Sequence, residues 1–252
     1  MSSGNRDRDR NRSSPTTLDL ESWVPHTEVG QMVKSGTITS IYDIFRDSLR
    51  VSDVNIIDFL VPNLTETVLD VGRVQRQTDA GRKTLFVATA GVGNKNGIVG
   101  VSQAKAAGVG TAIRNAIVLA KLNIVPVKRG CGSWECGCGE PHTLPFTIEG
   151  KCGSVKIKLF PAPKGTGLKT EHECAKILKL AGIEDVWSKT FGNTATKLNF
   201  IKANIAALRQ LVEMKIKEDD TKRLGIVEGA LIKKEKPDED FLEEIKEEKE
   251  NE

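Results

Sequence analysis

The sequence is poor in aromatic residues, which make up 5% of its 252 positions and include a single tyrosine. It has only three histidines, His26, His142 and His172, and none lies in a GxSxG or HExxH context. No GxxxxGK[ST] stretch is present, so a Walker-type nucleotide loop is unsupported, and no pair of carboxylates stands out as an acid–base couple. These absences argue against an enzyme. No apolar run approaches the length of a membrane span, so none is expected. The N-terminus, MSSGNRDRDRNRSSPTT, lacks the apolar stretch of a secretory signal. It is polar and of low complexity, and is expected to be disordered before binding. Cysteine is scarce: there are five, three of them within eight residues. A disulfide framework would spread its cysteines, so this clustering points to a reducing cytoplasm and to a metal.

What the sequence does have is charge, unevenly placed. The formal net charge of +3 hides a threefold division. Residues 1–72 hold 7 basic and 11 acidic side chains, residues 73–214 hold 21 and 9, and residues 215–252 hold 9 and 14. The middle of the chain therefore carries +12 and suits a polyanion, for which a phosphate backbone is the best candidate. The acidic end, residues 215–252, reads as a solvated tail, with a short helix around Phe241, Leu242 and Ile245.

Hydrophobic periodicity divides the rest. After the tail of residues 1–17, residues 18–66 read as short helices, including Asp43–Phe45 and the run Asp53–Leu60, with Pro62 closing the last. Residues 67–127 hold three strands, near Val68–Gln77, Lys83–Ala90 and Gly97–Ser102, and a helix over Ala104–Leu122. Between the second and third strands, Gly91 to Gly97 reads as a hairpin turn, with Asn96-Gly97 tolerating positive φ. The helix buries a stripe of Ala112, Ile113, Ala116, Ile117 and Ala120, and places Arg114 and Lys121 outside. Short helices, three strands and a helix are the order of a double-stranded-RNA-binding fold. Residues 143–214 form a second α/β unit. Its strands are TLPFTIE, Ser154–Phe160 and Ile183–Lys189. One helix starts near Glu173 and ends at Gly182, and another starts near Lys197, capped by Thr196 or Thr194.

Three segments invite chemistry. Residues Arg73 to Lys83 form a basic hairpin whose Arg73, Arg76, Arg82 and Lys83 flank a flexible tip at Gly81, suited to phosphates. Lys95 in the next turn and Lys164 in the PAPKGTG loop add cations, although the latter loop reads equally well as a proline-set turn. The third segment is CGSWECGCGEPH. Cys131, Cys136, Cys138 and His142 fall within twelve residues, and glycines between them let the chain curl so that three thiolates and an imidazole converge. That donor set suits a closed tetrahedral zinc site, which would be structural rather than catalytic. Residues 128–142 thus form a Cys-rich linker that would hold Lys128 and Arg129 against RNA. Cys152 and Cys174 read as core residues.

Four stretches carry a family resemblance: VQRQTDAGRKTLFVATAGVGNKNGIVGV, GTAIRNAIVLAKLNIVPVKRG, GKCGSVKIKLFPAPKGTGL and LAGIEDVWSKTFGNTATKLNFIKA. With them the chain, from about Leu20 to Leu211, resembles the small-subunit ribosomal protein S-five family, S-two in eukaryotes, in its archaeal form. The resemblance implies an α+β protein. A double-stranded-RNA-binding-like αβββα domain would precede a C-terminal βαβ-type domain whose crossover is unusually left-handed. It implies binding to small-subunit rRNA where body meets head, beside the mRNA entrance. The neighbours there would be the S-three, S-four and S-eight family proteins. The family's loop for decoding accuracy falls on Gln77 to Lys83, although Asp79-Ala80-Gly81 stands where bacterial relatives carry lysine and paired glycines. Two other readings compete: a double-stranded-RNA-binding regulator outside the ribosome, and a small-molecule kinase that shares the C-terminal fold.

Overall fold

The computed structural model describes residues 23–229. Expectations for the N-terminal tail and for the helix around Phe241 lie outside these residues. Three short helices come first, α1 (Glu28–Lys34), α2 (Ile41–Arg46) and α3 (Val54–Leu60). Side chains cap the first two, with Thr27 accepting from the Gly30 N–H and Ser40 from the Tyr42 N–H. Such short helices cannot persist alone. They hold together by burying Trp23, Val33, Ile38, Ile44 and Ile56 in a small core of their own.

The first sheet has the order β1-β2-β3-β4 and is antiparallel throughout. Its strands are β1 (Thr65–Thr78), β2 (Gly81–Gly93), β3 (Ile98–Ala106) and β4 (Ile124–Pro126), with helix α4 (Val109–Leu122) between the last two. The alanine stripe forms as expected: Ala112, Ala116 and Ala120 are fully buried, and Ala112 and Ala116 pack with Ala88, Ala90 and Ala104. Two boundaries differ. Residues Ala104 to Ala106 extend β3 rather than starting the helix. Gly91 and Gly93 belong to β2, not to the turn, which occupies Asn94 to Gly97. The physical reason is close approach: a Cβ on Gly93 would lie 2.4 Å from the carbonyl oxygen of Leu180. These glycines let a second helix lie on the face of β2 opposite α4.

That helix is α5 (His172–Ala181) of the C-terminal unit. Around it lie β6 (Ile148–Cys152), β7 (Val155–Pro161), β8 (Leu168–Lys169), β9 (Val186–Phe191) and α6 (Lys197–Glu213). The sheet order is β6-β7-β9-β8, and β8 and β9 are parallel across α5, which makes the βαβ unit. Of the expected TLPFTIE strand, only Ile148 and Glu149 belong to β6, because Pro145 offers no N–H to a ladder. Thr196 sits at the N-cap of α6, but its hydroxyl donates to the Asn193 carbonyl instead of capping. The two units share one core: Leu69, Val99 and Val127 pack with Leu178, Leu180, Ile183 and the inner faces of β7 and α6.

The chain does not dissolve into charge past Lys215. It forms α7 (Glu218–Leu224) and β10 (Val227–Glu228), which pairs antiparallel with β5 (Lys128–Arg129). Ile226 is buried, and Gly225 and Gly229 press against Gly139 and the Tyr42 ring. A single buried isoleucine and two β-paired residues are too short a pattern to emerge from a charged sequence.

Candidate RNA interface and metal centre

β1 and β2 outrun the core. Every residue of β1 from Val71 to Thr78 is exposed, and the opposing part of β2 stays unburied as far as Phe86. The cross-strand pairs Arg76↔Lys83 and Arg73↔Phe86 fix which way the cations point. Side chains alternate along a strand, so Arg76 and Lys83 share one face of the ribbon while Arg73 and Arg82 share the other. The tip turns at Asp79-Ala80, with Gly81 at φ +113° and the Thr78 hydroxyl donating to the Gly81 carbonyl. Among the described residues, no carboxylate pairs with Arg73, Arg76, Arg82, Lys83, Lys95 or Arg114. A projecting ribbon with cations on both faces has nothing of its own to bind. Its guanidinium forks have the geometry that suits phosphate oxygens.

Four other cations were expected to face RNA, and each is engaged within the fold. Arg129 is only 2% exposed. Its Nη1 donates to the Lys95 and Gly182 carbonyls and its Nη2 to the Gly229 carbonyl, so it ties the β2–β3 turn, the end of α5 and the C-terminal arm together. Lys121 bridges Asp58 at 2.7 Å and Glu66 at 3.4 Å, tying α4 to α3 and β1. Burial works against its charge, but Asp58 and then Glu66 outweigh that and raise its pKa. Lys128 pairs with Glu228 at 2.6 Å. Lys164 stays exposed but is engaged by Glu140 at 2.5 Å.

The second sheet offers a basic face that the candidate residues omitted. The register sets Lys151 opposite Lys156 and Lys158 opposite Lys189, all on the face away from Val155, Ile157 and Leu159. Phe191 lies on the same face, with the Lys189 ammonium 5.6 Å from its ring centroid. The alternation of Lys156 and Lys158 was visible in sequence, but the cross-strand partners were not.

The Cys-rich loop does converge. One ligand atom from each of Cys131, Cys136, Cys138 and His142 lies within 4.8 Å of the others. The Cys136 sulfur is 3.9 Å from His142 Nε2. A tetrahedral zinc with these donors needs edges of roughly 3.4–3.8 Å, so a small contraction suffices. The other imidazole nitrogen, Nδ1, lies 2.8 Å from the buried Asp185 carboxylate. That contact turns Nε2 toward the sulfurs, the arrangement by which an outer carboxylate orients a metal-binding histidine. Asp185 also accepts from the Gly167 N–H, and its carbonyl accepts from the Thr143 hydroxyl. The thiols divide in acidity. Hydrogen bonding to the Lys164 backbone, then to Cys138, brings Cys136 down to about 6, while burial, then the neighbouring Cys138 and Cys136, pushes Cys131 up to about 11. Thiols gathered this closely cannot all ionise without a counter-charge, and a divalent ion would supply it. The four residues form a cluster able to hold a metal ion.

Comparison with known proteins matches both units. The family model "Ribosomal protein S5, N-terminal domain" covers residues 64–128, and "Ribosomal protein S5, C-terminal domain" covers residues 150–223. A small ribosomal subunit protein uS5 of Methanocaldococcus jannaschii is 50% identical over 215 residues, which is 85% of this chain and 99% of the relative. Proteins of the same name from Staphylothermus marinus and Aeropyrum pernix are each 54% identical, over 190 and 192 residues. These matches cover 75% and 76% of this chain and 89% and 88% of the relatives. The hairpin, the basic sheet face and the shared core thus belong to a known architecture, and the chain is a member of the ribosomal protein S5 family.

Proposed function

We infer that this chain is a structural, non-enzymatic constituent of the small ribosomal subunit that binds small-subunit rRNA. The observation that carries the reading is the β1–β2 ribbon, whose unpaired cations on both faces project beyond the core. Arg73, Arg76, Arg82 and Lys83 would displace counterions from phosphates, and Arg114 and Lys95 add contacts along the same unit. An A-form RNA helix would be read by its shape and backbone rather than by base edges. We place it, on the family resemblance, between body and head, beside the mRNA entrance and the S-three, S-four and S-eight family proteins. Decoding accuracy is the process such a ribbon would touch. We further assign zinc to the Cys131, Cys136, Cys138 and His142 cluster. The ion would leave no open coordination position and would brace the loop without reacting. The test is co-sedimentation of the full chain with small subunits in low-magnesium gradients, alongside binding to small-subunit rRNA across salt concentrations. Affinity should fall steeply from low to moderate salt. A chain that stays outside the subunits, or binds RNA independently of salt, refutes the reading.

A further inference from the structure

The tip of the Cys-rich loop carries a group used neither by the RNA-binding ribbon nor by the metal ligands. Trp134 is 88% exposed, the highest value of any large hydrophobic side chain among the described residues. It forms, with Glu135, the corner of a tight turn closed by the Cys136 N–H donating to the Ser133 carbonyl at 3.4 Å. The turn has a firm mount. Ser133 is buried, the Cys131 N–H donates to the Leu224 carbonyl at 2.8 Å, and the Gly132 N–H donates to the Leu144 carbonyl at 3.1 Å. On the other side the chain returns directly into the cluster at Cys136 and Cys138. An indole held on a rigid corner loses little freedom on binding and offers a large contact area, the combination that makes tryptophan a dominant interface residue.

Charge selects the partner. From Cys131 to His142 the only ionisable side chains besides the four ligands are Glu135 and Glu140. Lys164 engages Glu140, whereas Glu135 is exposed and joins no ion pair of the described residues. A phosphate backbone would be repelled here. A guanidinium or ammonium would be attracted twice, by the indole face and by the carboxylate.

We propose that the Trp134–Glu135 corner is a protein-docking point for an arginine- or lysine-bearing surface of a neighbouring protein, with the cation lying on the indole and pairing with Glu135. The proposal rests on the chain residing in small subunits, and the experiment separates the two. The full chain carrying Trp134→p-benzoylphenylalanine is assembled into small subunits, sedimented and irradiated, with metal content measured to show that the loop is intact. The expected product is an adduct with another protein, through a peptide bearing arginine or lysine. Co-sedimentation with an RNA adduct, or with none, overturns the docking point alone, while failure to co-sediment overturns the ribosomal reading and this inference with it. Incorporation in competition with wild type gives a second measure. Trp134→Ala and Glu135→Lys should each fall behind by about tenfold, a change of roughly 1.4 kcal/mol. An RNA-facing corner would instead make Glu135→Lys gain.

Discussion

At the scale of single residues, the candidate metal cluster is oriented by a group outside its four members. Asp185 fixes the His142 ring, so Asp185→Asn should keep all four donors yet lower zinc affinity by about 10- to 100-fold. Competition with a chromophoric chelator measures this, and an unchanged affinity would remove Asp185 from the site. The thiol acidities set a pH dependence. At pH 7 Cys136, at about 6, is already largely thiolate, while Cys131, at about 11, still holds its proton. Binding must expel the Cys131 proton, so zinc affinity should rise with pH, by about tenfold per unit for each proton released. A flat titration between pH 6.5 and 8.5 would contradict the assignment. That Cys131, Cys136, Cys138 and His142 converge was legible in the sequence because glycine-separated thiols lie close along the chain. Asp185 was not, because only the fold brings it 43 positions back to His142. Arg129 misled for a related reason. A cation beside a basic run reads as a surface group, and nothing local reveals that three carbonyls from distant segments close around it.

At the scale of elements, the ribbon and the α5 cap behave oppositely on substitution. Arg76→Ala with Arg82→Ala removes two exposed, unpaired cations, so thermal stability should stay within about 0.5 kcal/mol of wild type. The dependence of log affinity for small-subunit rRNA on log salt should flatten by about 1.8, if each arginine meets one phosphate. In cells, misincorporation and readthrough should change more than subunit yield, and a large assembly defect with normal accuracy would contradict the assigned role. Gly182, by contrast, ends α5 at φ +80°, and a Cβ there would lie 1.9 Å from the Lys95 carbonyl oxygen. Gly182→Ala should therefore cost more than the roughly 1 kcal/mol of cap strain alone, because the β2–β3 turn must also move off the helix. Urea titration of the full chain reads this. The cap itself was predictable, since glycine after a helical stripe is a stop signal. What it meets was not. The Lys95 and Gly97 N–H groups donate to the last α5 carbonyls, of Leu180 and Ala181, from 80 or more positions earlier in the chain.

At the scale of the whole molecule, the charge division marked residues 73–214 as the basic part of the chain but concealed how the pieces join. Residues 67–127 and 143–214 read as two units, yet their apolar side chains form one continuous core across the junction. The acidic end reads as a solvated tail, yet its first part straps that junction. Leu224 accepts from Cys131, β10 pairs with β5, and the Gly229 carbonyl accepts from Arg129. Only Ile226 and the turn glycines hint at this in sequence, since the strap is held mainly by backbone groups that composition does not register. Two truncations distinguish strap from tail. Ending the chain after Gly229 leaves every one of these contacts in place, so this chain is the reference for melting temperature and zinc affinity. Ending it after Lys217 removes the Ile226 side chain from a buried site, worth roughly 1.5–3 kcal/mol. It also leaves the Arg129 guanidinium and the Cys131 N–H each short of a partner, at about 1–3 kcal/mol apiece if water cannot reach them. At about 2–4 °C per kcal/mol for a chain of this size, the melting temperature should drop by roughly 5 °C or more. Zinc affinity should fall with it, because Leu224 and Gly225 brace the loop that carries the ligands. Equal stability of the two truncations would mean that the strap is decoration on a junction that holds itself.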